Sequence, residues 1–215
     1  MRFSRVRLVL SILFLSLLLA IPASANSVNM QFNGGTPSGI GGGSVYPYSV
    51  SVNGIATSLL CDSFDNNMQK GETWTATSTP FLQGIANSLF GPSMTADYKA
   101  AGLIFKSMLA GTLTATNANW AIWGLFSANA RSQSQFMTTG AGAIDAQYLT
   151  LATTAKNSAF NGLVLYTPLA GSQSVGGTPQ EFIGFSAVPE PSSLMLIGTG
   201  LLGLAGAIRR KLAGV

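Results

Sequence analysis

Apolar runs at both ends of the chain fence off its middle as the stretch able to build a folded core. The first run, Leu8 to Ile21, follows Arg2, Arg5 and Arg7 and precedes Ala23-Ser24-Ala25. A charged start, a short apolar run and an A-x-A cleavage site specify a secretory signal peptide over residues 1–25, so the mature chain is predicted to begin near Asn26. At 14 residues the run falls short of the roughly 20 that a spanning helix needs. No Cys stands at the cleavage site, which argues against a lipoprotein. At the other end, Val188-Pro189-Glu190-Pro191 leads into the apolar, small-residue run Ser192 to Ile208 and then Arg209-Arg210-Lys211. These 17 apolar and small residues make a helix of about 25 Å, enough for one transmembrane helix, predicted over 194–208, with the basic cluster on the cytoplasmic side. Residues 26–187 are then an exported domain and 188–215 a tail that holds it to the inner membrane.

Pro189-Glu190-Pro191, one hydrophobic helix and the terminal Arg209-Arg210 cluster, in that order, resemble the sorting tail of the PEP-CTERM exported proteins of Gram-negative, polysaccharide-producing bacteria. The resemblance implies an exosortase-type sorting protease as partner, a transient stay in the inner membrane, and delivery to the cell surface or the extracellular matrix of a biofilm. It covers the tail and is silent on what the exported domain does.

The net charge of +4 is misleading, because six of the eleven Lys and Arg lie in the two end segments. Between Asn26 and Val188 five Lys and Arg (Lys70, Lys99, Lys106, Arg131, Lys156) face six Asp and Glu (Asp62, Asp65, Glu72, Asp97, Asp145, Glu181). A body of about −1 carries no electrostatic footprint for nucleic acid. Its solubility rests instead on 55 Ser, Thr, Asn and Gln, a balance suited to a polar extracellular polymer.

Local patterns predict an α+β domain: a β-hairpin-rich sheet or sandwich with an inserted helical subdomain. Val50 and Val52 alternate with Ser49 and Ser51, and Asn53-Gly54 supplies the positive φ angles of a type I′ turn, so Tyr46–Val52 and Ile55–Cys61 form a hairpin. Glu72 to Thr79 is a further strand. Helices are predicted over Thr95–Ala110, capped by Thr95 and ended by Gly111, over Asn119–Phe126, and over Ile144–Lys156 with Ile144, Tyr148, Leu151 and Ala155 on one face. Strands return at Leu163–Thr167 and Gln180–Ala187. The Gly-rich stretch from Gly34 to Gly43 has no following Lys-Ser or Lys-Thr, so it is read as a flexible connection rather than a phosphate loop.

The chain contains no His, which removes Ser-His-Asp and Cys-His activation and the usual metal ligands. Asp62 and Asp65 read as a solvated turn more readily than as a calcium or glycosidase pair. Trp120 and Trp123, three residues apart on an apolar helix, read as core more readily than as a sugar platform. No enzyme, cofactor or metal is expected.

Cys61 is unpaired within the chain. An exported protein with one Cys holds it as a buried thiol, an intermolecular disulfide partner, or a modified group. Leu60-Cys61 closing a strand, Ala118-Asn119-Trp120-Ala121-Ile122-Trp123, and Pro179-Gln180-Glu181-Phe182-Ile183 together resemble, in order, the three motifs of the thioester domains of bacterial surface adhesins. The resemblance implies a thioester between Cys61 and Gln180, supported by Asn119 and Trp123, and a surface protein amine as its target. The chain departs from that pattern at Asn119, where the family has Gln, at Ala118, where it has Thr, and at Asp62, where an apolar residue is common. Two functions compete: a thioester-bearing adhesin, and a structural or polysaccharide-binding matrix protein without chemistry.

Overall fold

Val28, Met30 and Phe32 are buried and alternate with Asn29, Gln31 and Asn33, and this period of two builds strand β1 (Asn26–Pro37). Its last four residues, 34–37, take up the start of the Gly34–Gly43 stretch expected to be a flexible connection. The computed structural model describes residues 26–173, 175, 178–186 and 199–200. The signal peptide and the Pro189-Glu190-Pro191 and Arg209-Arg210 segments lie outside these residues, as does the 194–208 span apart from Thr199 and Gly200. Among the described residues, no helix is long and apolar enough to cross a membrane. The chain divides into two compact units, Met1–Phe185 and Ser186–Val215.

β1 is followed by β2 (Ser44–Val52), β3 (Ile55–Cys61) and β4 (Thr73–Pro80), and the sheet is completed late in the chain by β5 (Leu163–Pro168) and β6 (Phe182–Phe185). The β2–β3 hairpin forms as predicted: Asn53 and Gly54 take φ of 50° and 83°, and Val52 faces Ile55 across the turn. β1 pairs on both sides, so that Met30 lies between Val52 of β2 and Trp74 of β4. β6 likewise joins β3 to β5. The strands therefore close into a six-stranded antiparallel barrel, β1-β2-β3-β6-β5-β4, where a hairpin-rich sheet or sandwich was expected. Among the described residues closure leaves no edge strand, which matters for a domain with few charged side chains to guard an edge.

The inserted helices lie between β4 and β5, as the sequence predicts. They are α1 (Phe81–Gly84), α2 (Thr95–Leu109), α3 (Ala115–Phe126), α4 (Ala128–Ser132), α5 (Ser134–Thr138) and α6 (Ala141–Thr154), with short 3-10 turns among them. Thr95 does not cap α2: Met94 holds that position, and the Thr95 hydroxyl donates back to the Pro92 carbonyl at 2.6 Å. Gly111 does end it, with Gly111 N–H on Met108 O and Thr112 N–H on Ser107 O, the paired bonds of a Schellman turn. α3 begins four residues earlier than expected because the Thr114 hydroxyl accepts from Asn117 N–H. α6 buries Ala141, Asp145, Tyr148 and Ala152, one position away from much of the predicted face, and leaves Leu151 46% exposed. The flat amphipathicity of that helix, small residues mixed with Thr, gives periodicity little to lock onto.

Asp145 is buried with one oxygen lacking a hydrogen-bond partner. Desolvation pushes its carboxyl up to about 7, against the pull of Arg131 and with a further push from Asp97. A carboxyl with a raised folded pKa binds its proton more tightly when folded, so stability falls as pH rises from about 4 to about 7 and then levels off. After discounting for partial solvent screening, the ionised group destabilises by about 2 kcal/mol. Asp145→Asn should therefore raise stability by about that amount at pH 8 and change it little near pH 4, as read by denaturant melts at the two pH values.

Candidate functional site

The end of β3, the loop after it and the approach to β6 meet at one place. Cys61 is the last residue of β3 and lies opposite Phe182 in the β3–β6 ladder. Gln180 therefore sits two residues ahead of Cys61's partner and outside β6, which starts at Phe182 and not at Gln180 as predicted. Closure of the barrel through β6 brings together residues more than a hundred positions apart in sequence.

One carbonyl oxygen organises the pair. The Cys61 Sγ donates to Ser63 O at 3.5 Å, and Gln180 Nε2 donates to the same oxygen at 3.3 Å. Gln180 Nε2 also bonds Asn66 O, and Asn66 Nδ2 donates to Pro179 O at 3.2 Å, so the two segments are tied from both sides. Cys61 is fully buried, and desolvation pushes its thiol well above the usual range. The thiol is thus held neutral in the folded protein. Gln180 is half-buried and lines a cleft of about 550 Å³ with Phe32, Tyr48, Phe64, Trp123 and Asp65.

The two predicted supporting residues reach this place from α3. Asn119 is fully buried: its Nδ2 donates to Cys61 O at 2.9 Å and its Oδ1 accepts from Tyr46 N–H at 2.7 Å, fixing the end of β3 against β2. Trp123 packs on Phe64 at 5.3 Å and on Trp120 at 5.1 Å between ring centroids. Both indoles are buried, in keeping with a core role, although Trp123 also forms part of the cleft wall. The Gly-rich loop closes over the same aromatics: a Cβ on Gly42 would lie 2.5 Å from the Trp120 ring. That loop is pinned by Ser38 N–H on Gly43 O and by the Thr116 hydroxyl on Ser38 O, so it is a packed element of the site and not the free connection expected.

Asp62 and Asp65 do not form a pair. Asp65 is exposed and accepts from Asn129 Nδ2 at 2.8 Å, whereas Asp62 is fully buried. The partner of Asp62 is Glu181, also fully buried. Burial raises both acids, and the charge of Glu181 raises Asp62 further. Tyr98 and Thr167 hydroxyls and Leu89 N–H donate to the Glu181 carboxylate and favour its charged form, which leaves the proton on Asp62. Solvated-turn reasoning missed this because it weighed spacing along the chain and not across the ladder. A signal was available: Cys61 and Gln180 are each followed directly by an acid, in a domain with six. Among the described residues, no group of three His, Cys, Asp or Glu side chains could hold a metal ion.

Nothing in this geometry addresses where the protein goes, but its tail does. Residues 187–211 match the PEP-CTERM protein-sorting motif. The PEP-CTERM motif implies an exported protein recognised by an exosortase and transiently anchored at its C-terminus before processing. It spans the tail alone, so the PEP-CTERM match leaves the exported domain without an assigned activity. No curated protein and no solved structure matches the chain.

Proposed function

We propose that this exosortase substrate is a non-enzymatic surface protein whose exported barrel carries a Cys61–Gln180 thioester, an acyl donor for covalent attachment to a partner's amine. The observation that carries the reading is the shared Ser63 carbonyl, which holds the thiol and the side-chain amide against one oxygen atom while Gln180 lines an open cleft. Asn119 on the Cys61 carbonyl adds a fixed backbone, and the cleft gives an incoming amine access to position 180.

The chemistry closes without His. The Cys61 sulfur attacks the Gln180 side-chain carbonyl carbon, the C–N bond breaks, the thiol proton leaves on nitrogen, and ammonia departs. A primary amine then attacks the thioester carbonyl, forms an amide at position 180 and returns the thiol to Cys61. Each molecule acts once, so the protein is consumed as a linker rather than turning over as a catalyst. A neutral, desolvated thiol makes a poor nucleophile in the finished fold, which places closure during assembly of the site, before burial is complete. Intact-mass measurement of the purified protein tests this: the thioester form is lighter than the sequence mass by about 17 Da, the mass of ammonia. An unchanged mass would return Cys61 to the core as an inert thiol and leave a matrix protein that binds polysaccharide without chemistry.

A further inference from the structure

The loop between β3 and β4 is fixed residue by residue where it lines the cleft. Phe64, half-buried, packs on Trp120 at 5.5 Å and on Trp123 at 5.3 Å between ring centroids. Asp65, exposed, accepts from Asn129 Nδ2 at 2.8 Å. Asn66 Nδ2 donates to Pro179 O at 3.2 Å, and the Asn66 carbonyl accepts from Gln180 Nε2. Three consecutive residues are thus tied to α3, to α4 and to the approach to β6, which holds the carboxylate between them in place. Among the residues that line the cleft Asp65 is the only charged one, and the other polar side chains there are neutral: Ser44, Tyr48, Asn67, Asn129 and Gln180.

We propose that this cleft binds a sugar with a free amino group, a glucosamine-type unit of a polymer, and that Asp65 is the residue that selects its ammonium. Binding of this kind needs only the cleft and does not depend on the thioester. A carboxylate already oriented by a neutral amide meets an ammonium with little further ordering, and it keeps lone pairs beyond the one that Asn129 occupies. Hydrogen bonds between charged partners are also the strong ones. The hydroxyl and amide side chains around Asp65 both donate and accept, as ring hydroxyls do, while Phe64 and Met68, each half-buried, offer apolar surface to the C–H face of a sugar. A volume of about 550 Å³ falls in the range of small-ligand sites, roughly 300 to 1,000 Å³. A lysine side chain carries the same ammonium on a bare methylene stem and leaves the neutral groups to water. An acidic sugar meets no cation, because no Lys or Arg lines the cleft. The chemistry of the lining therefore favours the amino sugar over both.

The test is calorimetric titration of the full chain in detergent, at about pH 6 so that the amines are protonated. Three probes are used: β-1,4-linked triglucosamine, the same trimer fully N-acetylated, and an end-blocked tripeptide with a central lysine. The protein is first treated with methylamine and dialysed, which spends any thioester and leaves a chain without one unchanged, so the heats report reversible binding alone. Wild type should bind triglucosamine, and N-acetylation should weaken binding by about tenfold, as the loss of a hydrogen bond to a charged group does. Asp65→Asn keeps the shape of the side chain and an oxygen for Asn129, so it should stay folded, bind triglucosamine about tenfold more weakly and treat the N-acetylated trimer as wild type does. Added salt should weaken only the amine-bearing trimer. No binding of triglucosamine, equal affinity for the two trimers, or unchanged affinity in a folded Asp65→Asn would overturn the assignment, and if that variant fails to fold the two trimers decide alone. A lysine peptide bound as tightly as triglucosamine would overturn it too, and make the cleft a site for protein amines. The mass of the chain before methylamine decides the thioester separately, so neither reading falls with the other.

Discussion

Cys61→Ala is expected to abolish both thioester signatures at once: the purified variant should show its full sequence mass and take up no methylamine. The wild type should be lighter than its sequence mass by about 17 Da, gain about 31 Da with methylamine, and release one thiol as it does so. Gln180→Glu should behave as Cys61→Ala does, because a carboxylate is too poor an acyl group to be attacked by the thiol. The two variants remove different atoms of one bond, so agreement between them separates the bond from adventitious oxidation or loss of ammonia elsewhere. Neither change should unfold the barrel. Cys61 is a small, fully buried side chain, and truncating it costs about 1 to 2 kcal/mol. Gln180 is half-buried, and glutamate can still accept hydrogen bonds, though it loses the amide donors that now serve Ser63 O and Asn66 O. Methylamine uptake by Cys61→Ala, or a wild-type thiol that titrates in full only after unfolding at unchanged mass, would overturn the thioester.

Why some of this site was legible in the sequence follows from the range of the interactions that make it. The β2–β3 hairpin is set by Asn53-Gly54 and four alternating residues, all local, and it is where the pattern puts it. α2 is equally local, with apolar side chains at helical spacing and a Gly stop. β1 carries the same period of two at Val28, Met30 and Phe32, yet its glycines at 34 and 35 drew the reading toward a loop. In the fold they fall at register shifts between β1 and β2, where a bend in a long strand suits small residues. Closure of the barrel was beyond a local reading, since it depends on β1 pairing with β4 and on β6 entering between β3 and β5. For the same reason the meeting of Cys61 and Gln180 could be anticipated by resemblance alone, while the burial of Asp62 against Glu181 could not. Spacing along the chain describes a turn; only the ladder reveals that two acids, 119 residues apart in numbering, share an interior site.

The remaining large effect concerns the tail. Glu190→Ala should leave most of the protein in the inner membrane with its C-terminus uncleaved, whereas the wild type should be processed and released outward. Glu190 is the one charged residue of Pro189-Glu190-Pro191, so its carboxylate is the group that tripeptide offers a recognising protease. A protease that encloses such a carboxylate matches it with a cation or strong donors, and deleting it strands them at a cost of about 3 to 5 kcal/mol, or roughly a hundredfold or more in recognition. Glu190→Gln keeps the shape and tests the charge by itself. Arg209→Ala with Arg210→Ala tests a separate step, because cytoplasmic basic residues set the orientation of a membrane helix and not the cleavage. Fractionation with antibodies to the exported domain distinguishes these outcomes: retention at full length for the Glu190 variants, and reduced or misoriented insertion for the double Arg variant. Release of Glu190→Ala at the wild-type rate would show that the tail is handled as a plain anchor, whatever chemistry the barrel performs.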